Sequence, residues 1–221
     1  MDKARFAAEN LIALIEPRIG GSVSGFEAHE DREHDDRALK ALNDNALSDS
    51  KRRRGILAWL SRYGVLKGIK KSARSKVANT ILKYADNQRS PIEQGDEAGI
   101  LAGFAILHEA CRRKVKRRKN RSLRDLSSLT SKAFWLCYPD VVPILDSHTE
   151  RSLYVISRLV GIGCPEGDRY ACFLHVWLSI YRILEPNLSK EKLRGQRPVR
   201  IFDYLLWTLG QPNFEVSKSS N

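Results

Sequence analysis

The stretch SLTSKAFWLCYPDVVPILDSHTERSLYVISRLVG, Ser128 to Gly161, decides how this chain reads. It opens with hydroxyl residues and turns apolar, as a helix start does. A Pro-bounded connector comes next, and then a second helix opened by Asp146-Ser147. Asp146 is a natural N-cap there, with Thr149 and Glu150 near the capping-box position. Thr149, Leu153, Ile156 and Val160 recur at helical spacing until Gly161 and Gly163 end the stripe.

The same period runs outward in both directions. Residues 3–16 place Ala7, Leu11, Leu14 and Ile15 on one face before Pro17 and Gly20-Gly21. Residues 20–37 are turn-rich and acidic and read as a solvated loop. Helical patterns are predicted at 35–47, 55–66, 74–86 and 95–112, the last opened by Asp96-Glu97, which suits a helix N-terminus. Tyr170, Phe173, Leu174, Trp177, Ile180, Tyr181 and Leu184 form a long stripe ended by Pro186. Residues 198–209 begin with Pro and stop before Gly210. No period-2 alternation of useful length and no internal repeat is present. The expected fold is all-α, one domain with helical lobes at about 1–110 and 111–210, a cleft between them, and a frayed tail at 211–221.

Composition narrows the function classes. With 42% apolar residues in 221, the chain can bury a core, so wholesale disorder is excluded. No apolar run approaches the roughly 18–20 residues that span a bilayer, and no signal-peptide core is visible. Cys111, Cys137, Cys164 and Cys172 form no C-x-x-C pair, against a zinc ribbon and a disulfide scaffold. The expectation is a soluble, reduced, cytoplasmic monomer without metal or cofactor.

The excess of 38 Lys+Arg over 26 Asp+Glu gives a net charge of +12 and points to a polyanion. The cations cluster at 51–54 (KRRR), at Lys67, Lys70, Lys71, Arg74 and Lys76, and in the run Arg112 to Arg124. A single charge run is usually a solvated face. Three patches on a globular pattern favour phosphate contact, with Arg112, Arg113, Lys116, Arg117 and Arg118 as the densest set. Such contacts position a nucleic acid without reading its bases.

The segment from Ser128 to Gly161 resembles the helix-hairpin-helix DNA glycosylase superfamily, particularly its lyase members of the 8-oxoguanine glycosylase type. In those proteins a hairpin and helix lead into a connector V-P-(V/I)-x-D and a helix beginning D-(T/S/V)-H-V-x-R. Here these positions are Val142-Pro143-Ile144-Leu145-Asp146, then Ser147-His148-Thr149-Glu150-Arg151. The resemblance implies that Asp146 is the catalytic aspartate and Lys132 the Schiff-base lysine. It implies that His148 and Arg151 lie near the DNA backbone, and that the partner is double-stranded DNA with a flipped base.

The chain departs from the family at the hairpin. Leu126 to Ser131 stand where the family has L-P-G-(V/I)-G, so hydroxyls of Ser128, Thr130 and Ser131 and helix N-terminal amides would meet the phosphate instead. The interval from Lys132 to Asp146 is shorter than in well-known members. The four-cysteine iron–sulfur loop of some relatives is missing, and Cys164 and Cys172 read as ordinary buried thiols.

Lys132 also has a physical case of its own. It is predicted in the first turn of a helix, flanked by Ala133, Phe134 and Trp135 and preceded by a basic run. The dipole, desolvation and like charge all favour a neutral, nucleophilic amine. Against this stands a solvated, phosphate-binding lysine. The flat walls of a base pocket would come from Phe134, Trp135, Phe202 and Trp207, although aromatics at helical spacing are more often core.

The expected activity is excision of a damaged or modified base, with strand nicking where Lys132 forms an imine, in repair or in defence against phage DNA. The alternative is a non-catalytic helical DNA- or RNA-binding protein. A metal-dependent nuclease or toxin is disfavoured because His29 and His34 lie in an acidic stretch, while His108 and His175 fall on apolar helices.

Overall fold

Ile100, Phe104, Leu107 and Cys111 lie on one buried face of the helix Glu97–Arg112, as their spacing predicts. The same logic repeats through the computed structural model, which describes residues 9, 12–13, 15, 18, 21–26, 30–87, 89–115, 125–187 and 196–212. Among them every regular element is helical. They are α1 (Glu30–Asn43), α2 (Asp49–Arg62), α3 (Lys71–Asn87), α4 (Glu97–Arg112), α5 (Ser127–Cys137), α6 (Ser147–Val160), α7 (Arg169–Leu184) and α8 (Pro198–Leu209), with a 3₁₀ turn at Glu185–Asn187. Residues 21–26 are helical too. The fold class is all-α. Most of 3–16, the run 116–124 and the tail from 213 lie outside the described residues. Among the described residues no helix is long and apolar enough to cross a membrane.

The chain forms two compact units, Gly25–Ile144 and Met1–Ser24 with Leu145–Asn221. They do not coincide with the contiguous lobes expected from the sequence. The reason lies in α5, which packs against α4, α3, α2 and α1 and so belongs with the first half of the chain.

Within Gly25–Ile144, every residue of α5 except Ser128 is buried. Phe134 meets the edges of Tyr84, Phe104 and Tyr138, while Trp135 stacks on Trp59 with centroids 5.6 Å apart. Gly103 permits this approach, because a Cβ there would fall 2.7 Å from Phe134 Cζ. Arg52 is buried and joins three helices, reaching the Leu42 carbonyl at the end of α1 and the Asp86 carboxylate of α3.

The predicted solvated loop at 20–37 is overturned. Ser22, Val23 and Phe26 are buried, and α1 begins at Glu30. Asp35 and the apolar residues after it lie within this helix, so acidic composition here does not mark a loop. Asp35 is only 2% exposed and accepts hydrogen bonds from Trp59 Nε1 (2.8 Å) and the Tyr63 hydroxyl (3.1 Å).

In the other unit, α6 lies along α8 and α7. The Ser152 hydroxyl donates to the Leu206 carbonyl, and Trp177 Nε1 to the buried Asp203. Gly161 takes the left-handed conformation (φ 73°) that closes α6. The loop after it carries Cys164 back to the first turn of α7, where it is joined to Cys172 with Cα atoms 5.1 Å apart. This corrects the reading of both residues as buried free thiols: Cys164 is exposed and Cys172 half-buried. Arg169 and Glu150 pair across the same loop.

Candidate active site

Lys132 is held by α5 and is 2% exposed. Its Nζ donates to the Ser128 hydroxyl one turn earlier (3.3 Å) and lies 5.6 Å from the centroid of the Tyr63 ring. Because α5 begins at Ser127, Lys132 occupies the second turn, not the first. The dipole fades within one turn, so burial rather than the helix end sets its surroundings.

Tyr63 and Asp35 complete this cluster, and the sequence alone singles out neither. The available signal is a stripe of Asp35, Ala38, Leu39 and Leu42 at i, i+3, i+4 and i+7, with a carboxylate at its head. All four side chains are buried.

The hydroxyls expected to grip a phosphate are arranged otherwise. Thr130 and Ser131 are 0% exposed, and the Ser131 hydroxyl donates to the Ser128 carbonyl. Asp125 Oδ1 already accepts the Ser127 amide at the head of the helix (2.8 Å). Thr130 and Ser131 are therefore core residues of α5, and Ser128 serves Lys132. The Thr130 hydroxyl makes no hydrogen bond among the described residues.

Asp146 caps α6, as its position predicts. Oδ1 accepts the amides of His148 (2.9 Å) and Thr149 (3.0 Å) and the Thr149 hydroxyl (3.2 Å). All three bonds converge on one oxygen, which leaves Oδ2 outside the cap. The residue is half-buried.

His148 and Arg151 both turn to Gly210 at the end of α8. His148 Nδ1 lies 3.1 Å from the Gly210 carbonyl oxygen, and Arg151 donates to it at 3.0 Å. A Cβ on Gly210 would sit 1.9 Å from the His148 carbonyl oxygen. In the sequence this glycine reads only as a helix stop. Gly210→Ala is expected to force α6 from α8 and to cost about 3 kcal/mol, the upper range for overpacking. Urea unfolding checks it, and an unchanged midpoint would show that the backbones yield freely.

Most of the expected base pocket is core. Phe134 and Trp135 are 0% exposed, and Phe202 packs against the stacked pair of Trp177 and Tyr181. Trp207 alone of the four is half-exposed, with its edge to His148 and Tyr204 stacked beside it.

Arg112 and Arg113 share Glu109, at 2.7 and 3.0 Å, and hold its carboxyl below the usual range. Lys116, Arg117 and Arg118 lie outside the described residues. Burial pushes the thiols of Cys111 and Cys137 up to about 12, which removes them as nucleophiles. Among the described residues no group of three or more His, Cys, Asp or Glu side chains could hold a metal ion.

Comparison with protein-family models, curated proteins and solved structures finds no match to this chain.

Proposed function

We propose that the chain is a DNA glycosylase of the helix-hairpin-helix type, with two helical lobes, acting as a monomer on a base flipped from duplex DNA. The observation that carries this reading is the one-sided cap at Asp146, at the end of a V-P-I-L-D connector. A pure cap needs only one acceptor oxygen. Here the second oxygen is spare, at the position where the resemblance places the catalytic carboxylate.

The glycosidic bond is out of reach in a stacked duplex, so the nucleotide must be extruded first. The Asp146 carboxylate then stabilises positive charge growing on the sugar as the C1′–N bond stretches. The neutral Lys132 amine adds its lone pair to C1′, and the electrons of the breaking bond leave with the base, which takes up a proton. Proton loss from nitrogen and opening of the sugar ring give an imine. Elimination from it nicks the strand. Lys132 is 2% exposed, and its Nζ is held by the Ser128 hydroxyl at 3.3 Å.

One observation favours the second reading, a non-catalytic DNA-binding protein. The buried hydroxyls of Thr130 and Ser131 deprive a hairpin of its phosphate grip. A panel of duplexes carrying oxidised purines or phage-type modified bases separates the two. Chromatography of the supernatant is expected to show at least one released base. Tight binding across the panel with no release would leave the binding protein.

A further inference from the structure

The three basic patches named from the sequence are distant along the chain, yet residues from all three line one groove. It has a volume of about 1240 Å³ and lies wholly within Gly25–Ile144. Its walls are α2, the turn after it, α3 as far as Lys83, and the residues just past α4. No residue of α5 lines it, so it is separate from Lys132. Seven cationic side chains and no carboxylate are among its described lining residues.

How each cation is used divides the patches. In the KRRR run, Arg52 is spent inside the fold on Asp86 and Leu42, whereas Arg53 and Arg54 line the groove. Arg74 donates to the Ile69 carbonyl, while Lys70 and Lys76 line the groove. Arg53 is steadied by Asn79 at 3.1 Å. Among the described residues Arg54, Lys70, Lys76 and Lys83 have no carboxylate partner. Converging cations left without partners repel one another, and only an outside anion relieves that repulsion. The first turn of α3, at the rim, carries no acidic residue, so its dipole adds to the same field.

The lining also says which anion. Its apolar members are aliphatic, Leu57, Ile69, Ala73 and Val115, and no aromatic ring is among the described lining residues. Single strands are held by stacking bases on aromatic side chains, and a small-molecule pocket is mostly apolar. Bare cations with serine, threonine and asparagine at their feet suit a phosphodiester backbone whose bases stay paired.

We infer that this groove seats the phosphate backbone of double-stranded DNA, as a contact distinct from the residues of base excision. The inference rests on the glycosylase reading for the choice of DNA as polyanion, and on nothing in its chemistry.

The test uses the full chain and an undamaged duplex, with fluorescence anisotropy measured across a salt series. The triple variant Arg54→Gln, Lys76→Gln, Lys83→Gln is compared with Lys40→Gln, Lys51→Gln, Lys67→Gln, which removes three exposed cations of the same unit outside the groove. All six side chains are exposed, so both variants are expected to keep the wild-type circular dichroism and melting temperature. The groove variant should flatten the plot of log K against log salt by about 2–3 units, roughly 0.9 for each phosphate no longer neutralised, and the control by less than about one. The wild type should hold the duplex more tightly than a single strand of equal length. Equal slopes for the two variants would overturn the groove, and so would tighter binding of single strands or of duplex RNA. Base release at saturating DNA is read separately. Failure of the glycosylase reading, with no base released by the wild type, leaves the salt slopes as stated.

Discussion

Asp146→Asn is expected to lower base release by about 10²–10³-fold or more while leaving fold and duplex binding in place. The effect turns on the two oxygens of one side chain. The cap uses Oδ1 for the amides of His148 and Thr149 and for the Thr149 hydroxyl. The carbonyl oxygen of asparagine accepts the same three bonds, and asparagine caps about as well as aspartate, so stability should move by less than about 0.5 kcal/mol. The change falls on Oδ2, which becomes an NH₂ group that repels rather than stabilises positive charge on a sugar. Single-turnover release and thermal unfolding on the same preparation read the two roles apart. Full activity in the variant would remove the residue on which the glycosylase reading chiefly rests. A collapse of stability with unchanged turnover per folded molecule would reduce Asp146 to a cap.

Where the sequence is readable, the cause is a repeated physical pattern. α6 shows this best: Thr149, Leu153 and Ile156 are buried along it, Asp146 caps its start and Gly161 its end. The 198–209 helix and the 170–184 stripe are equally legible, because apolar period and terminal residues agree. The reading fails where charge stands as a proxy for solvent. Asp35 heads an apolar stripe and serves two buried donors, while its neighbour Asp36 is exposed. Composition does not distinguish the two; only the helical phase does.

The same limit applies to the site. Nothing local tells that α5 is enclosed on nearly every side, because its partners come from four other helices. A rim aromatic and a core aromatic look alike in sequence, so Phe134, Trp135 and Phe202 suggest a pocket they do not form. The run KRRR is a sharper case. Arg52 and Arg53 are chemically identical neighbours, yet one is buried on Asp86 and the other opens onto the groove. A helix turns about 100° per residue, and that rotation alone separates their roles.

Lys132 permits a second large effect to be stated. Lysine is rarely buried, since enclosing it sacrifices solvation that a hydrocarbon would not need. Lys132 is nevertheless 2% exposed, with the Ser128 hydroxyl 3.3 Å from its Nζ and the Tyr63 ring centroid 5.6 Å away. Lys132→Met keeps the length and volume and removes the amine. It is expected to keep the wild-type circular dichroism and to melt close to the wild-type temperature, since a side chain of equal volume fills the same space. Its base release should fall by about 10²-fold or more, since covalent catalysis loses its nucleophile. Borohydride added during turnover should trap a protein–DNA adduct in the wild type and none in Lys132→Met. Release that persists without an adduct would mean that water attacks the sugar, with Asp146 as the one catalytic group. A melting temperature lowered by several degrees with activity intact would make Lys132 a structural residue, held by Ser128 and the face of Tyr63. The coupled outcome, a retained fold and abolished chemistry in one substitution, is what a buried lysine kept for catalysis must produce.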